Sequence, residues 1–441
     1  MKTRKNIKTI YLDKPRDRVF AQSLSKSKSR TKSKSRTNMR SFAGQAFAEG
    51  GFGCVFRPQL ACKNTKRSVL KISNANGVSK LMKKKNQISE LKELARVNTI
   101  VKKIKNYNDY FLLDGIYGCD PAPLTPSDKK DFDVKCKNLA RKGIRKDNIN
   151  KKLATMGIIN LPYGGIAVDK YFKSWKTMSN SKKKTADFSA TNKALLSLFT
   201  NGIVPLNENR YLHMDVKGPN ILHNVDKKTG RTYCRLIDFG LSVDYRTTPP
   251  QKAPSGLYNG PIQYNTPFSV ILFRNDINVQ IKNFVEYHSL RNAYWNSVGR
   301  QQFMRGLALY LYQTSLETIG EGHILYILSQ FEMMFSNYVG YAKKTLFGED
   351  IIIEYLATVL EKYVDNNFHF QEGKYFHEVF SKNVDIWGFI MTYFDAISTK
   401  QTHKEETSAA IIKIISEYCY STKYAAIPIP ISKLVEDLSH L

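Results

Sequence analysis

From residue 42 to about residue 160 apolar positions alternate or come in short blocks, and from about residue 189 they recur every three or four. The first texture predicts strands and the second helices. "SFAGQAFAEGGFGCVFRPQLAC" (41–62) alternates around a Gly-rich centre and predicts a two-stranded hairpin. "RSVLKIS" (67–73) is a short apolar strand containing Lys71. "KLMKKKNQISELKELARVNTIVKKI" (80–104) has helical spacing, with Ile88, Leu91, Leu94 and Ala95 on one face. "YFLLDGIYG" and "MGIINLP" predict two more strands, separated by a polar, Pro-containing insertion at about 119–153.

The second part is mainly helical. "SATNKALLSLFTNGIV" (189–204) is a helix leading to "YLHMDVKGPNIL" (211–222), and "CRLIDFGLS" (234–242) follows. Residues 241–268, rich in Pro, Gly, Ser and Thr, form a long loop, and loops of that length are usually functional. Residues 276–380 then carry successive amphipathic patterns, among them "GLALYLYQTSLETI" and "DIIIEYLATVLEKYV".

Charge changes this picture at one end. Residues 1–40 hold 14 Lys/Arg and 2 Asp, so they supply 12 of the 30 excess positive charges of the chain. The segment "SLSKSKSRTKSKSRTNMRS" alternates hydroxyl and cationic residues, a composition that cannot offset ordering entropy and predicts a disordered tail over 1–42. Such a tail serves as a solubiliser, as an electrostatic nucleic-acid contact, as a localisation signal or as a string of phosphoacceptors. No apolar stretch follows the basic start, as a secretory signal requires, and no run of eighteen apolar residues predicts a transmembrane helix. The six cysteines (54, 62, 119, 136, 234 and 419) show no C-x-x-C spacing, so reduced thiols and an intracellular setting are expected, with Cys119–Cys136 as the candidate bridge. Oligomeric state is not legible.

The candidate chemistry lies in four segments. Gly50, Gly51 and Gly53 of "AEGGFGCV" would let backbone N–H groups approach a phosphate, although a Gly-rich hairpin turn is more often merely a turn. Lys71 inside "VLKI" is costly to bury without an anion, and Glu90, with Glu93 as its rival, is the candidate partner. In "HMDVKGPN", Asp215 can accept a hydroxyl proton, Lys217 can neutralise a moving phosphate and Asn220 can hold a divalent cation. Asp238 of "IDFG", at the end of an apolar run, suits a carboxylate that grips Mg2+.

Taken in order, "GGFGCV", "VLK", "HMDVKGPN" and "DFG" resemble the signature set of the eukaryotic-type protein kinase family. "VDIWGFI" (384–390) resembles the segment opening the buried helix of that family's larger lobe, with Asp385 bracing the catalytic loop. The basic tail, "PYGGIAVDKYF" and the helical insertion look like serine/threonine kinases of large nucleocytoplasmic DNA viruses.

The resemblance implies an α+β, two-lobed protein-kinase-like fold with a small β-rich N-lobe and a mainly helical C-lobe. Its parts would be an N-lobe over 43–160, a C-lobe over 161–275, a helical insertion over 276–380 and the rest of the C-lobe over 381–441. It implies ATP and Mg2+ as cofactors and Ser/Thr of proteins as substrates, in the host cytoplasm or a virion. Gly50, Gly51, Phe52 and Gly53 would cover the phosphates, Val55 would pack on adenine, and Lys71, oriented by Glu90, would hold the α- and β-phosphates. Residues 159–165 would be the hinge, Asp215 the base, Lys217 the γ-phosphate clamp, and Asn220 and Asp238 the metal ligands.

Departures from the pattern are Ala48 for the first glycine, Met214 for the usual Arg, and "NTPFS" where A-P-E is expected, with no Arg after Arg305. They keep open a pseudokinase scaffold that binds nucleic acid or protein. A small-molecule phosphotransferase is a third reading, against which Lys217 and Phe239–Gly240 argue.

Overall fold

The computed structural model describes residues 44–50, 53–63, 77–175, 181–289, 299–338, 347–397 and 405–441. The fold is mixed α+β, a small antiparallel sheet preceding a mainly helical part. The described residues divide into two compact units: one comprises those up to Asn98 plus Leu113–Tyr163, the other Thr99–Leu112 plus those from Gly164 to Leu441. The predicted basic tail, Gly51, Phe52, and the "RSVLKIS" strand with Lys71 lie outside the described residues.

The first unit is built on five strands: β1 (Gln45–Gly50), β2 (Gly53–Arg57), β3 (Gly77–Lys83), β4 (Tyr117–Cys119) and β5 (Met156–Pro162), in spatial order β1-β2-β3-β5-β4. β1 and β2 form the expected hairpin, with Gly50 opposite Gly53. Helix α1 (Lys84–Val101) follows β3 directly. The predicted helix over 80–104 is therefore corrected at its start, because residues 80–83 complete the ladder with β2 and β5.

Cross-strand pairing sorts the side chains onto two faces. Cys54, Leu81 and Ile158 lie in one row, joining Phe56, Leu60, Phe132, Leu139 and Ile149 in a buried core. The 119–153 insertion, with helices α2 (Phe132–Lys135) and α3 (Lys137–Arg141), thus covers this face of the sheet. Two disulfides fix it there, Cys54–Cys136 and Cys62–Cys119. The expectation of reduced thiols is corrected for these four residues, and the Cys119–Cys136 bridge with it. Each cysteine is brought to its partner by strand pairing and core packing, which spacing along the chain does not encode. Cys234 and Cys419 are free and buried.

The opposite face carries Ala48, Val55, Lys80 and Ile159, paired in sequence across β1, β2, β3 and β5. Helix α1 lies on this face. A side chain at Gly118 would collide with Leu91 and one at Gly157 with Gln87, so both glycines permit the close approach. Gln87 donates to the carbonyls of Cys119 (3.0 Å) and Ile158 (2.7 Å). It takes the inward position predicted for Ile88, which is exposed.

In the second unit β6 (Ile166–Ala167), β8 (Ile221–Val225) and β9 (Thr232–Leu236) form one sheet, and β7 (Tyr211–Leu212) pairs with β10 (Val243–Asp244). Around them pack α4 (Val168–Ser174), α5 (Ser181–Leu198), α6 (Val204–Glu208), α7 (Ile277–Ser289), α8 (Arg300–Thr318), α9 (Ile324–Tyr338), α10 (Phe347–Tyr363) and α11 (Glu372–Tyr375). Then come α12 (Ser381–Thr392), α13 (Phe394–Ile397), α14 (Glu405–Tyr418) and α15 (Ile431–Ser439). Apart from exposed Lys382, every residue of α12 is buried, so this helix is the axis of the unit. No helix among the described residues is long and apolar enough to cross a membrane.

Candidate active site

The segment after β7 is a turn that would not hold its shape unaided. Met214 has φ +64°, a left-handed conformation costing about 1–3 kcal/mol for such a residue. Asp385 of α12 holds it: its Oδ2 accepts the N–H of His213 at 2.7 Å and its Oδ1 that of Met214 at 2.8 Å. With its amide nitrogen turned to Asp385, Asn207 adds a third donor at 2.8 Å. Asp385 is fully buried, and burial pushes its carboxyl up to about 7, against the pull of the two N–H groups. Gly388, one turn along α12, brings the helix against the loop, since any side chain there would collide with the Val216 carbonyl.

His213 is buried and its ring is fixed from both sides. Nδ1 accepts the N–H of Asp215 (3.2 Å), which leaves Nε2 to donate to the Ile237 carbonyl (3.0 Å). Burial lowers its pKa, in keeping with this neutral tautomer. The ring packs edge-on to Phe239, centroids 4.9 Å apart, and Phe239 meets Phe111 at 6.1 Å.

Asp215, so oriented, is gripped by three side chains. Lys217 Nζ lies 2.7 Å from Oδ1, Asn220 Nδ2 donates to Oδ2 at 2.8 Å, and Asn265 Nδ2 donates to Oδ1 at 3.0 Å. Asn220 Nδ2 also reaches the Asp215 carbonyl (2.9 Å) and Asn265 Nδ2 that of Val216 (3.3 Å). The structure therefore brings the predicted Asp215, Lys217 and Asn220 together and adds Asn265. Asn265 belongs to the "NTPFS" segment, fifty residues along the chain from Asp215, and no local pattern announces it.

Asp238 is positioned by the same sheet. Ile221 pairs with Leu236, and the Ile237 N–H continues the ladder to the Asn220 carbonyl (2.9 Å), so Asp238 emerges one residue past Asn220's partner. Its φ of +64° turns the chain sharply there.

The first unit holds the other predicted residues. Lys80 Nζ meets both carboxylate oxygens of Glu90, at 2.8 and 2.9 Å, with side chains 11% and 18% exposed. The expected lysine, Lys71, lies outside the described residues; among the described residues Lys80 is a partner of Glu90. The reason is register. Lys80 stands opposite Val55 on one side and Ile159 on the other, on the face that α1 covers. Glu93, the rival acid, lies 4.0 Å from Arg96. Gly50, Gly53 and Val55 are in the hairpin as predicted.

A comparison with protein-family models finds no match, and a comparison with curated proteins finds no significant similarity.

Proposed function

We propose that this chain transfers the γ-phosphoryl group of ATP to Ser or Thr hydroxyls of protein substrates, in a two-lobed protein-kinase-like fold. The observation that carries this reading is the threefold grip of Lys217, Asn220 and Asn265 on Asp215. A carboxylate this constrained is aimed, which is what a base receiving a hydroxyl proton requires.

In this reading Asp215 accepts the substrate hydroxyl's proton, and Lys217 leaves its carboxylate to neutralise the transferring phosphoryl group. Lys80, oriented by Glu90, would hold the α- and β-phosphates. Asn220 and Asp238 suit Mg2+. The Asn220 nitrogen is committed to Asp215, so its oxygen is the end left for a hard cation, and Asp238 supplies a second oxygen donor. Bound there, Mg2+ would neutralise phosphate charge during transfer. Asp385 and His213 keep the loop in shape rather than taking part in the chemistry. Met214 offers no cation to an activating phosphate; the turn is held through its backbone by Asp385.

The test is purified protein with ATP, Mg2+ and mixed basic and acidic protein substrates, beside Asp215→Asn. Phosphate on Ser or Thr from the wild type, reduced about 10²–10⁴-fold in the variant, is expected. Nucleotide binding without transfer in both would instead favour the scaffold reading.

A further inference from the structure

The two disulfides of the first unit stand in different surroundings. Cys54 and Cys136 are wholly buried, in the core that Phe56, Phe132 and Leu139 share. Cys62–Cys119 lies at the edge of the sheet, for β4 is its outermost strand and Cys119 ends it. Cys119 is half-buried and the next residue, Asp120, is exposed, whereas Cys62 is 7% exposed. A thiol arriving from solvent therefore meets the Cys119 side of this bond first.

A buried amide faces both sulfurs. Asn160 Nδ2 lies 3.4 Å from Cys62 Sγ and 3.7 Å from Cys119 Sγ. A chain of donors dictates its orientation. The Leu60 N–H donates to Ser79 Oγ at 2.7 Å, so the Ser79 hydroxyl donates to Asn160 Oδ1 and leaves Nδ2 for the disulfide. Ser79 and Asn160 are both wholly buried. Disulfide sulfurs are weak acceptors, so the amide is poorly used while the bond is closed. A thiolate is a strong acceptor, and an N–H aimed at it favours the charged form.

We infer that Cys62–Cys119 is a reversible exchange site for low-molecular-weight thiols of the glutathione class, with Asn160 stabilising the leaving Cys62 thiolate. The incoming thiolate attacks Cys119 Sγ, the S–S bond breaks, and its electron pair passes to Cys62 Sγ. A second thiolate then attacks the incoming sulfur and releases Cys119 as thiolate. Two small thiols become one disulfide, and their two protons end on Cys62 and Cys119. The shorter amide contact is the one to Cys62, the sulfur that leaves first.

The state of this bond bears on the helix that carries Glu90. Gln87 of α1 donates to the Cys119 carbonyl at 3.0 Å and Lys84 Nζ meets Asp120 at 2.5 Å, so α1 is tied to the residues the bridge fixes. Opening the bond leaves those residues joined to the 61–63 segment through backbone hydrogen bonds, Lys63 to Asp120 and Ala122 to Ala61, both 2.8 Å. Neither the exchange nor this coupling depends on the phosphoryl-transfer reading.

The experiment incubates the full chain in reduced glutathione, quenches with acid, alkylates free thiols and maps the peptides by mass spectrometry. Cys62–Cys119 is expected to open at least about 10²-fold faster than Cys54–Cys136, through an intermediate with glutathione on Cys119, and to close again in oxidised glutathione. Asn160→Leu should slow that opening about tenfold, with an intact Cys54–Cys136 bridge as the check on folding. Hydrogen exchange of α1 amides around Gln87 should quicken about tenfold once the bond is open. Glutathione on Cys62, one rate for both bridges, or an opening that does not reverse would overturn the site. An unchanged rate in Asn160→Leu would overturn the part given to the amide, and α1 exchange indifferent to the bond would overturn the coupling. Should Asn160→Leu not fold, the wild type still decides, since glutathione must appear on Cys119 and not on Cys62.

Discussion

Lys80 and Glu90 are ten residues apart, on a strand and on the helix that follows it, and they meet through both carboxylate oxygens. The helix reaches the lysine because Gly118 and Gly157 leave room for Leu91 and Gln87 on the sheet. Lys80→Met is expected to remove thermal stabilisation by Mg–ATP and to cut phosphoryl transfer by about 10²-fold or more. Lys71→Met should keep both near wild type. A nucleotide thermal-shift series on the two variants checks this, and the reverse ranking would return the role to Lys71.

Asn265 donates to the same Asp215 oxygen that Lys217 meets, so in the proposed reaction its part is to position Asp215. Asn265→Ala removes a hydrogen bond to a charged group, worth about 1.5–3 kcal/mol. Steady-state kinetics should show kcat down by about 10–10²-fold with KM for ATP little changed. Asn265→Thr, which keeps a short donor, should recover part of the loss. A change confined to KM would contradict the assignment.

The two disulfides clamp the 119–153 insertion to the back of the sheet. Peptide mapping without reductant should find Cys54 linked to Cys136 and Cys62 to Cys119. Replacing Cys54 and Cys136 by Ser should lower stability by about 2–5 kcal/mol, read by denaturant unfolding. Linkage of Cys119 to Cys136 would refute the pairing.

His223 is 6% exposed and stacked on Tyr171, centroids 3.7 Å apart, and burial lowers its pKa to about 4. The folded state holds it neutral, whereas the unfolded chain protonates it near 6.5. Its contribution is therefore complete above about pH 6.5 and is lost as pH falls toward 4, amounting to roughly 3 kcal/mol. His223→Gln should flatten that acid-side decline, measured as melting temperature at pH 7 and pH 4.5. An unchanged decline would place the pH sensitivity elsewhere.

Short-range geometry was legible in the sequence. His213, Asp215, Lys217 and Asn220 sit on one turn, so their meeting depends on a few backbone angles that neighbouring residues set. The hairpin glycines and the "DFG" segment were legible for the same reason, and Asp385 through the motif around it.

Tertiary packing alone decided the rest. "GVSKLMK" offers a lysine in a strand-like run, and the register of β3 against β2 and β5 puts Lys80 on the face that α1 covers. Ile88 and Gln87 are adjacent on the helix, yet Gln87 turns inward because the sheet edge presents carbonyls that only a donor can satisfy. Cysteine pairing and the Asn265–Asp215 contact join residues fifty or more positions apart. Contacts of that kind are fixed by the packing of a whole unit, which no local pattern of apolar and polar residues encodes.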